Sequence, residues 1–78
     1  MLLLKLLEES DSEVVYSYFP EKKKYFGIVK INKITGEIID VQTADNDLHK
    51  RYMHHAVSKI ISFFEKGDFP KEEMVSWY

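Results

Sequence analysis

The sequence predicts an α+β domain, an antiparallel β-meander of three or four strands with one long C-terminal amphipathic helix packed on one face. Residues 25–43 show the alternation of a β-hairpin, and residues 48–66 repeat apolar side chains at helical spacing. The length of 78 residues suits a single domain with one small core. We therefore predict one domain with strands near residues 2–8, 13–19, 25–33 and 37–43, and a helix near residues 46–66.

Composition and charge limit the class of protein. Hydrophobic residues make up 45% of the chain and aromatic residues 14%, which is typical of a folded globule. The chain has no cysteine, so disulfides and thiolate metal sites are excluded. A net charge of −2 gives no general attraction to nucleic acid or to an anionic membrane. The N-terminal leucine run is far shorter than the roughly 20 residues of a membrane span, and it lacks the basic start of a secretory signal. We expect a cytoplasmic protein with no membrane partner.

The hairpin of residues 25–43 turns at Ile34-Thr35-Gly36. A three-residue loop with glycine in the left-handed region forms a type I turn followed by a G1 bulge. On the core face this loop predicts the pairs Ile31–Ile39, Val29–Val41 and Gly27–Thr43. On the opposite face it predicts Lys30–Asp40, Asn32–Ile38 and Ile28–Gln42. The register joins apolar residues to each other and pairs opposite charges, which favours it over a one-residue slip.

A second hairpin joins the valine- and tyrosine-rich run 13–19 to the strand near 25–33 through a charged connection. The predicted core-face pairs are Val14 with Ile31, Tyr16 with Val29, and Tyr18 with Gly27. An aromatic ring that covers a strand glycine restores the packing that the missing side chain loses.

The N-terminal leucines fit two structures. Leu2, Leu3, Leu6 and Leu7 would share one face of a helix, whereas a strand over residues 2–8 would turn through residues 10–12 and pair with 13–19. We favour the strand, because a short helix without a cap is marginally stable.

The predicted helix begins near Asp45, Asn46 and Asp47, which are good N-cap residues, and ends at Lys66 and Gly67. Its apolar stripe consists of Leu48, Tyr52, Met53, Ala56, Val57, Ile60, Ile61 and Phe64. We expect this stripe to cover a sheet face formed by Val14, Tyr16, Val29, Ile31, Ile39 and Val41. Proline at position 70 suits a first helical turn, so the tail 70–77 is compatible with a short helix.

The other sheet face carries an apolar cluster interrupted by polar residues. Its members are Val15, Phe19, Phe26, Ile28 and Ile38, and the terminal Trp77 and Tyr78 are candidates to join them. Apolar clusters with a polar rim usually mark interfaces. Three interpretations are open, namely cover by the chain's own tail or leucine segment, a homodimer, and a different protein partner. Because twofold symmetry needs only one self-complementary patch, we predict an interaction or adaptor domain that forms a homodimer.

The polar face of the helix is basic and suggests an alternative function. Its residues are Lys50, Arg51, His54, His55 and Lys59. Such a stripe suits phosphate groups or an acidic partner, whereas a merely solvated face would balance the acidic remainder of the chain. Binding of nucleic acid or of an acidic partner through this face is therefore the alternative to the homodimer.

Catalytic and metal-binding patterns are not found in the sequence. His54 and His55 lie about 100° apart on a helix, and a helical zinc pair needs the i, i+4 spacing that no two histidines have. The serines lack the glycine pattern of a nucleophile elbow, and no glycine-rich loop suits a phosphate. We predict a protein that is not an enzyme, with no metal site and no cofactor.

Overall fold

The computed structural model describes residues 1–76, and the predictions for Trp77 and Tyr78 lie outside this range. The elements are β1 Leu2–Glu9, β2 Glu13–Pro20, β3 Gly27–Asn32, β4 Ile38–Gln42, α1 Arg51–Lys66 and β5 Glu72–Val75. All strand pairs are antiparallel, and the sheet order is β4-β3-β2-β1-β5. The α+β class and the meander of the first four strands are thus confirmed. The predicted count of three or four strands is wrong, because β5 adds a fifth strand beside β1.

The tail corrects the prediction of a terminal helix over residues 70–77. Residues 72–75 are a strand that pairs with residues 2–5 of β1. This pairing satisfies backbone groups along the first half of β1, which outweighs the weak preference of Pro70 and the following acids for a first helical turn. The long helix is consequently not the last element, since α1 crosses from the β4 side of the sheet to the β5 edge.

The preferred strand structure of the N-terminal leucines is confirmed. β1 pairs along its length with β2, and the register shifts by one residue between Leu6 and Glu8. In the turn that follows, the Ser10 hydroxyl accepts hydrogen bonds from the backbone amides of Ser12 and Glu13, at 3.3 and 3.1 Å. Side-chain capping of this kind is the reason that serine favours turns.

The predicted β2–β3 register is confirmed for all three core-face pairs, including Tyr18 with Gly27. The β3–β4 hairpin differs near its loop. Three pairs agree with the prediction: Ile28–Gln42, Val29–Val41 and Lys30–Asp40. Ile31, however, pairs with Ile38, so Ile39 is an extra, unpaired residue between Ile38 and Asp40 on β4.

The side chain of Asn32 explains this difference. Its Oδ1 accepts hydrogen bonds from the amides of Ile34 and Thr35, at 2.8 and 3.1 Å. The Asn32 amide donates to the Glu37 carbonyl oxygen, so the loop has four residues where three were predicted. The predictions that Ile39 lies in the core and that Asn32 faces Ile38 are therefore wrong. Ile39 lies at the bulge and is 46% exposed.

The helix begins at Arg51, five residues later than predicted, because Lys50 has left-handed backbone angles with φ of 58°. Leu48 therefore falls outside the helix and is 85% exposed, which contradicts its place in the predicted stripe. The C-terminal prediction is confirmed. Gly67 has a φ of 73°, and its amide and that of Asp68 donate to the carbonyl oxygens of Phe64 and Phe63, as in a Schellman motif.

The core lies between α1 and one face of the sheet. The helix contributes the buried side chains Ala56, Ile60 and Phe63. The sheet and the loop after it contribute the buried residues Leu2, Leu4, Val14, Tyr16, Tyr18, Val29, Ile31 and Ala44. The Tyr16 hydroxyl donates a 2.6 Å hydrogen bond to the Pro70 carbonyl oxygen, which ties the segment before β5 to the middle of the sheet. The opposite face of the sheet, called the outer face below, receives no contact from α1.

Candidate interaction surfaces

The outer face is built by strand alternation, which sends every second side chain away from the helix. Leu3 pairs with Phe19 on one side and Met74 on the other, so these three side chains form a row across the sheet. The row extends to Phe26, whose ring centroid lies 5.4 Å from that of Phe19. A second row places Ile28 beside Ser17. Apolar side chains from four segments of the chain thus meet on one surface.

This outer-face cluster is only partly shielded by its own members. Phe26 is 52% exposed and Met74 38%, whereas Leu3, Val15 and Phe19 are half-buried against their neighbours. Within residues 1–76, α1 is the one helix and it packs on the other face, so the cluster faces solvent. The leucine segment, one of the two self-covering segments considered from the sequence, does not lie over it, because β1 is a strand of the sheet itself. The other, the terminal Trp77 and Tyr78, lies outside the described residues.

Charged side chains interrupt and border the outer-face cluster. The ammonium group of Lys5 lies 5.4 Å from the centroid of the Phe19 ring, a distance suited to a cation–π contact. Lys30 forms a 3.2 Å ion pair with Glu13 on the same side. The surface therefore has an apolar centre with paired charges around it, as protein interfaces commonly do.

The structure brings together four of the predicted partner-binding residues, namely Val15, Phe19, Phe26 and Ile28. Ile38 does not join them, since it pairs with the core residue Ile31 and hence belongs to the helix side of the sheet. Sequence reasoning missed two members, Leu3 and Met74. The signal for Leu3 was present in the alternation of the N-terminal leucines, whereas Met74 required recognition of β5.

The basic residues predicted for the helix are divided between two places. Lys50 precedes α1, and Arg51 lies at its start beside a pocket of about 290 Å³. His55 and Lys59 lie one and two turns further along and face a groove of about 400 Å³ between α1 and β5. The remaining groove residues are mostly polar: Ser58, Ser62, Lys66, Val75 and Ser76. His54 is exposed and does not line either cavity.

The pocket at the helix start is organised by Asp47, which is 4% exposed. Its carboxylate accepts hydrogen bonds from the amides of Tyr52 and Met53, at 3.2 and 2.9 Å, and from the Tyr18 hydroxyl at 3.2 Å. Asp47 thus caps α1, as one of the three candidates predicted from the sequence, but it does so from outside the helix. Because this carboxylate already occupies the helix N-terminus, the pocket is unsuited to an anion.

Burial raises the pKa of Tyr18 to about 12, and the charge of Asp47 adds to this effect, while a hydrogen bond from the Ala44 amide opposes it. Burial also raises the pKa of Tyr16. The exposed Glu21 carboxylate accepts hydrogen bonds from the N-terminal ammonium group and from the Tyr52 hydroxyl, both at 2.7 Å. These hydrogen bonds lower the pKa of Glu21 and raise that of Tyr52.

The raised pKa of Tyr18 predicts a loss of stability at alkaline pH. In the unfolded chain tyrosine ionises near its ordinary pKa of about 10, whereas folded Tyr18 retains its proton to about pH 12. Folding stability is therefore fully present below about pH 10 and falls above it, by up to about 1.4 kcal/mol per pH unit for each such tyrosine. Urea unfolding between about pH 9 and about pH 11.5 measures this slope. Tyr18→Phe is expected to flatten it, while Tyr25→Phe, at a 46% exposed position, leaves it unchanged. Equal slopes in all three proteins would contradict the prediction.

No three histidine, aspartate or glutamate side chains within residues 1–76 converge in a way that suits a metal ion. Over the same residues, no helix has the length and apolar character needed to cross a membrane. The two surfaces that combine several side chains in one place are the outer-face cluster and the groove between α1 and β5. Comparison with protein-family models, curated proteins and solved structures finds no match to this chain.

Proposed function

We propose that this protein is a small non-enzymatic interaction domain, and that it forms a homodimer by packing two outer faces against each other. The observation that carries the proposal is the solvent-facing apolar row Met74–Leu3–Phe19–Phe26 on the side of the sheet opposite α1. Contiguous exposed apolar side chains on a small protein favour burial against another surface. A cytoplasmic location belongs to the same proposal.

A second copy of the chain is the partner that requires the fewest assumptions. Under a twofold axis the same patch serves both subunits, and each contributes half of a shared second core. A domain of 78 residues has one small core of its own, so burial of a second apolar layer adds a large fraction to its stability. The border also suits self-association, since it carries both signs of charge in Lys5, Lys30 and Asp40.

The size of the face limits the interface that such a dimer can bury. Five strands spaced by about 4.8 Å, each contributing about five residues at about 3.4 Å, give a face of roughly 24 by 17 Å, or about 400 Å². A standard interface buries about 800 Å² per partner. We therefore expect a reversible dimer with a Kd on the order of 10 μM or weaker, with sheets about 10 Å apart and rotated by about 30°.

Phe26→Asp tests the proposed dimer. The exposed ring lies in the patch but not in the core, so the variant is expected to keep the fold while its Kd rises at least about tenfold, because a charge enters an apolar interface. Sedimentation equilibrium from micromolar to millimolar concentration measures the Kd. Ile34→Asp is the matched control, since Ile34 is 72% exposed in the β3–β4 loop and lies outside the patch.

Two results would overturn this proposal. A wild-type protein that stays monomeric to about 1 mM would remove the homodimer. A Phe26→Asp variant that unfolds, while Ile34→Asp does not, would show that the chain itself covers the outer face. Far-UV circular dichroism of both variants separates the second result from simple loss of assembly.

The alternative function is binding of a polyanionic partner, an acidic protein or nucleic acid, through the basic side of α1. The observation that favours it is the groove beside β5, where His55, Lys59 and Lys66 meet three serine residues. Within residues 1–76, Lys59 and Lys66 form no ion pair. The prediction that Lys50, Arg51, His54, His55 and Lys59 act as one stripe receives less support, because only His55 and Lys59 of these residues line the groove.

A further inference from the structure

β5 is an edge strand of the sheet. The alternation of its hydrogen bonds with β1 shows which of its backbone groups have no partner in the sheet. The Leu6 amide donates to the Lys71 carbonyl oxygen at 2.8 Å, which continues the β1–β5 register by one residue beyond the pair Lys5–Glu72. Hydrogen-bonded pairs alternate along an antiparallel ladder, so the next bonded pairs involve residues 73 and 75. The backbone N–H and C=O groups of Glu72 and Met74 therefore point away from β1, out of the sheet.

The groove runs along this same edge, on the helix side of the sheet. Val75 of β5 forms part of its wall, and the side chains of His55, Lys59 and Lys66 line it from α1. Lys59 is partly held in place by the Phe63 ring, whose centroid lies 5.9 Å from its ammonium group. Glu73 points to the same side of β5 but does not line the groove. Within residues 1–76, an unpaired strand edge and a groove lined by two lysines thus lie side by side.

We propose that an acidic peptide segment in extended conformation adds to β5 as a sixth strand, and that its carboxylates enter the groove. This inference deepens the alternative function above and rests on it. The backbone of the peptide pairs with Glu72 and Met74, which supplies affinity, and alternate side chains point toward α1, which supplies specificity. The preferred segment has Glu or Asp at the positions that face α1, because this phase places carboxylates beside Lys59 and Lys66, and the like charge of Glu73 disfavours an acid directly opposite that residue.

Charge disfavours one other occupant of this edge, and hydrogen bonding disfavours a second. A second copy of the chain paired β5 to β5 about a twofold axis would bring its own Lys59 and Lys66 toward the same residues of the first copy, and like charges at close range repel. Nucleic acid satisfies the lysines, but its phosphates only accept hydrogen bonds. They leave the outward C=O groups of Glu72 and Met74 without donors, whereas a peptide backbone supplies both donors and acceptors.

The experiment measures binding of a fluorescein-labelled peptide of alternating threonine and glutamate by fluorescence anisotropy at low salt. A peptide of alternating threonine and lysine and a labelled oligothymidylate are the comparison probes. We expect the acidic peptide to bind, with a Kd that rises steeply with salt, and the basic peptide not to bind. The double variant Lys59→Glu/Lys66→Glu should weaken binding at least about tenfold. Lys22→Glu/Lys24→Glu, with the same change of net charge at two exposed positions between β2 and β3, should have little effect.

Proline at position 72 tests strand addition itself. The Glu72 N–H points outward, so Glu72→Pro removes a donor needed by the added strand without removing a β1–β5 hydrogen bond. We expect Glu72→Pro to weaken the acidic peptide at least about tenfold, while Glu72→Ala, which removes the same charge, does not weaken it. Backbone amide shifts of residues 72–75 on titration with the peptide provide an independent readout.

The outcomes distinguish failure of the alternative function, binding of a polyanion in the basic groove, from failure of strand addition to β5. If neither the acidic peptide nor oligothymidylate binds, both the alternative function and the strand addition are wrong. If oligothymidylate binds and Lys59→Glu/Lys66→Glu removes its binding, while the peptide fails to bind or is insensitive to Glu72→Pro, the basic groove survives and the strand addition is overturned.

Discussion

Gly27→Ala is expected to destabilise the fold by about 3 kcal/mol or more, because the new methyl group has no space to occupy. A Cβ atom at this position collides with the Tyr18 ring and with the backbone carbonyl oxygen of Gln42. The ring cannot swing aside at low cost, since its hydroxyl accepts a 2.9 Å hydrogen bond from the Ala44 amide and donates to Asp47. The carbonyl oxygen belongs to β4, so relief on that side requires displacement of a strand.

Gly67→Ala is the control for Gly27→Ala. Gly67 has a φ of 73° but no atom within 4 Å of an added Cβ, so alanine there carries only the conformational cost of a left-handed residue, about 1 kcal/mol. Urea unfolding of both variants gives the two free energies of unfolding. If Gly27→Ala costs no more than Gly67→Ala, then Tyr18 does not lie over Gly27 as described.

Asp47→Ala is expected to have the second largest effect, a loss of about 3 kcal/mol. The substitution removes the acceptor for two helix amides and for the Tyr18 hydroxyl, and it leaves these donors in a largely buried environment. The N-terminal turn of α1 should fray, because Lys50 supplies no side-chain hydrogen bond in its place.

Matched variants separate the capping role of Asp47 from loss of negative charge. Asp45→Ala removes an exposed carboxylate two residues away and should change stability by no more than about 0.5 kcal/mol. Asp47→Asn retains an acceptor and should recover part of the loss. Amide hydrogen exchange at Tyr52 and Met53 reports the cap directly, and unchanged protection in Asp47→Ala would contradict the assignment.

The features predicted from sequence are those that neighbouring residues determine. The β2–β3 register, including Tyr18 over Gly27, follows from two adjacent alternating runs whose apolar faces must coincide. The end of α1 follows from Gly67. In each case the relevant residues are close in sequence, and local pattern and tertiary packing favour the same structure.

The features that were predicted wrongly depend on competing or distant contacts. β5 is stable only as the partner of β1, about 70 residues away in the chain. Its four residues are too few for their own apolar alternation to predict a strand. The hairpin loop is lengthened to four residues by the hydrogen bonds of the Asn32 side chain, while Gly36 keeps its predicted left-handed conformation, with a φ of 79°. The late helix start follows from Lys50, whose left-handed conformation no propensity predicts.

The outer-face cluster was predicted in part for the same reasons. Val15, Phe19, Phe26 and Ile28 lie on β2 and beside or within β3, the two strands whose register was correct. Ile38 was lost through the one-residue difference at the β3–β4 bulge, and Met74 could not be placed without β5. An error of one residue moves a side chain to the other face of a sheet, so surface predictions are limited by the least certain register.

The position of β1 between β2 and β5 has a consequence for synthesis in the cell. The ribosome makes β1 first, and roughly 60 further residues must be added before β5 exists, which takes roughly 3 to 12 s at ordinary elongation rates. During that interval the nascent chain can pair β1 with β2, but the other side of this leucine-rich strand has no partner. An unpaired apolar strand edge is a template for intermolecular pairing. Emergence of the last strand from the exit tunnel is thus the event that ends the period of greatest aggregation risk.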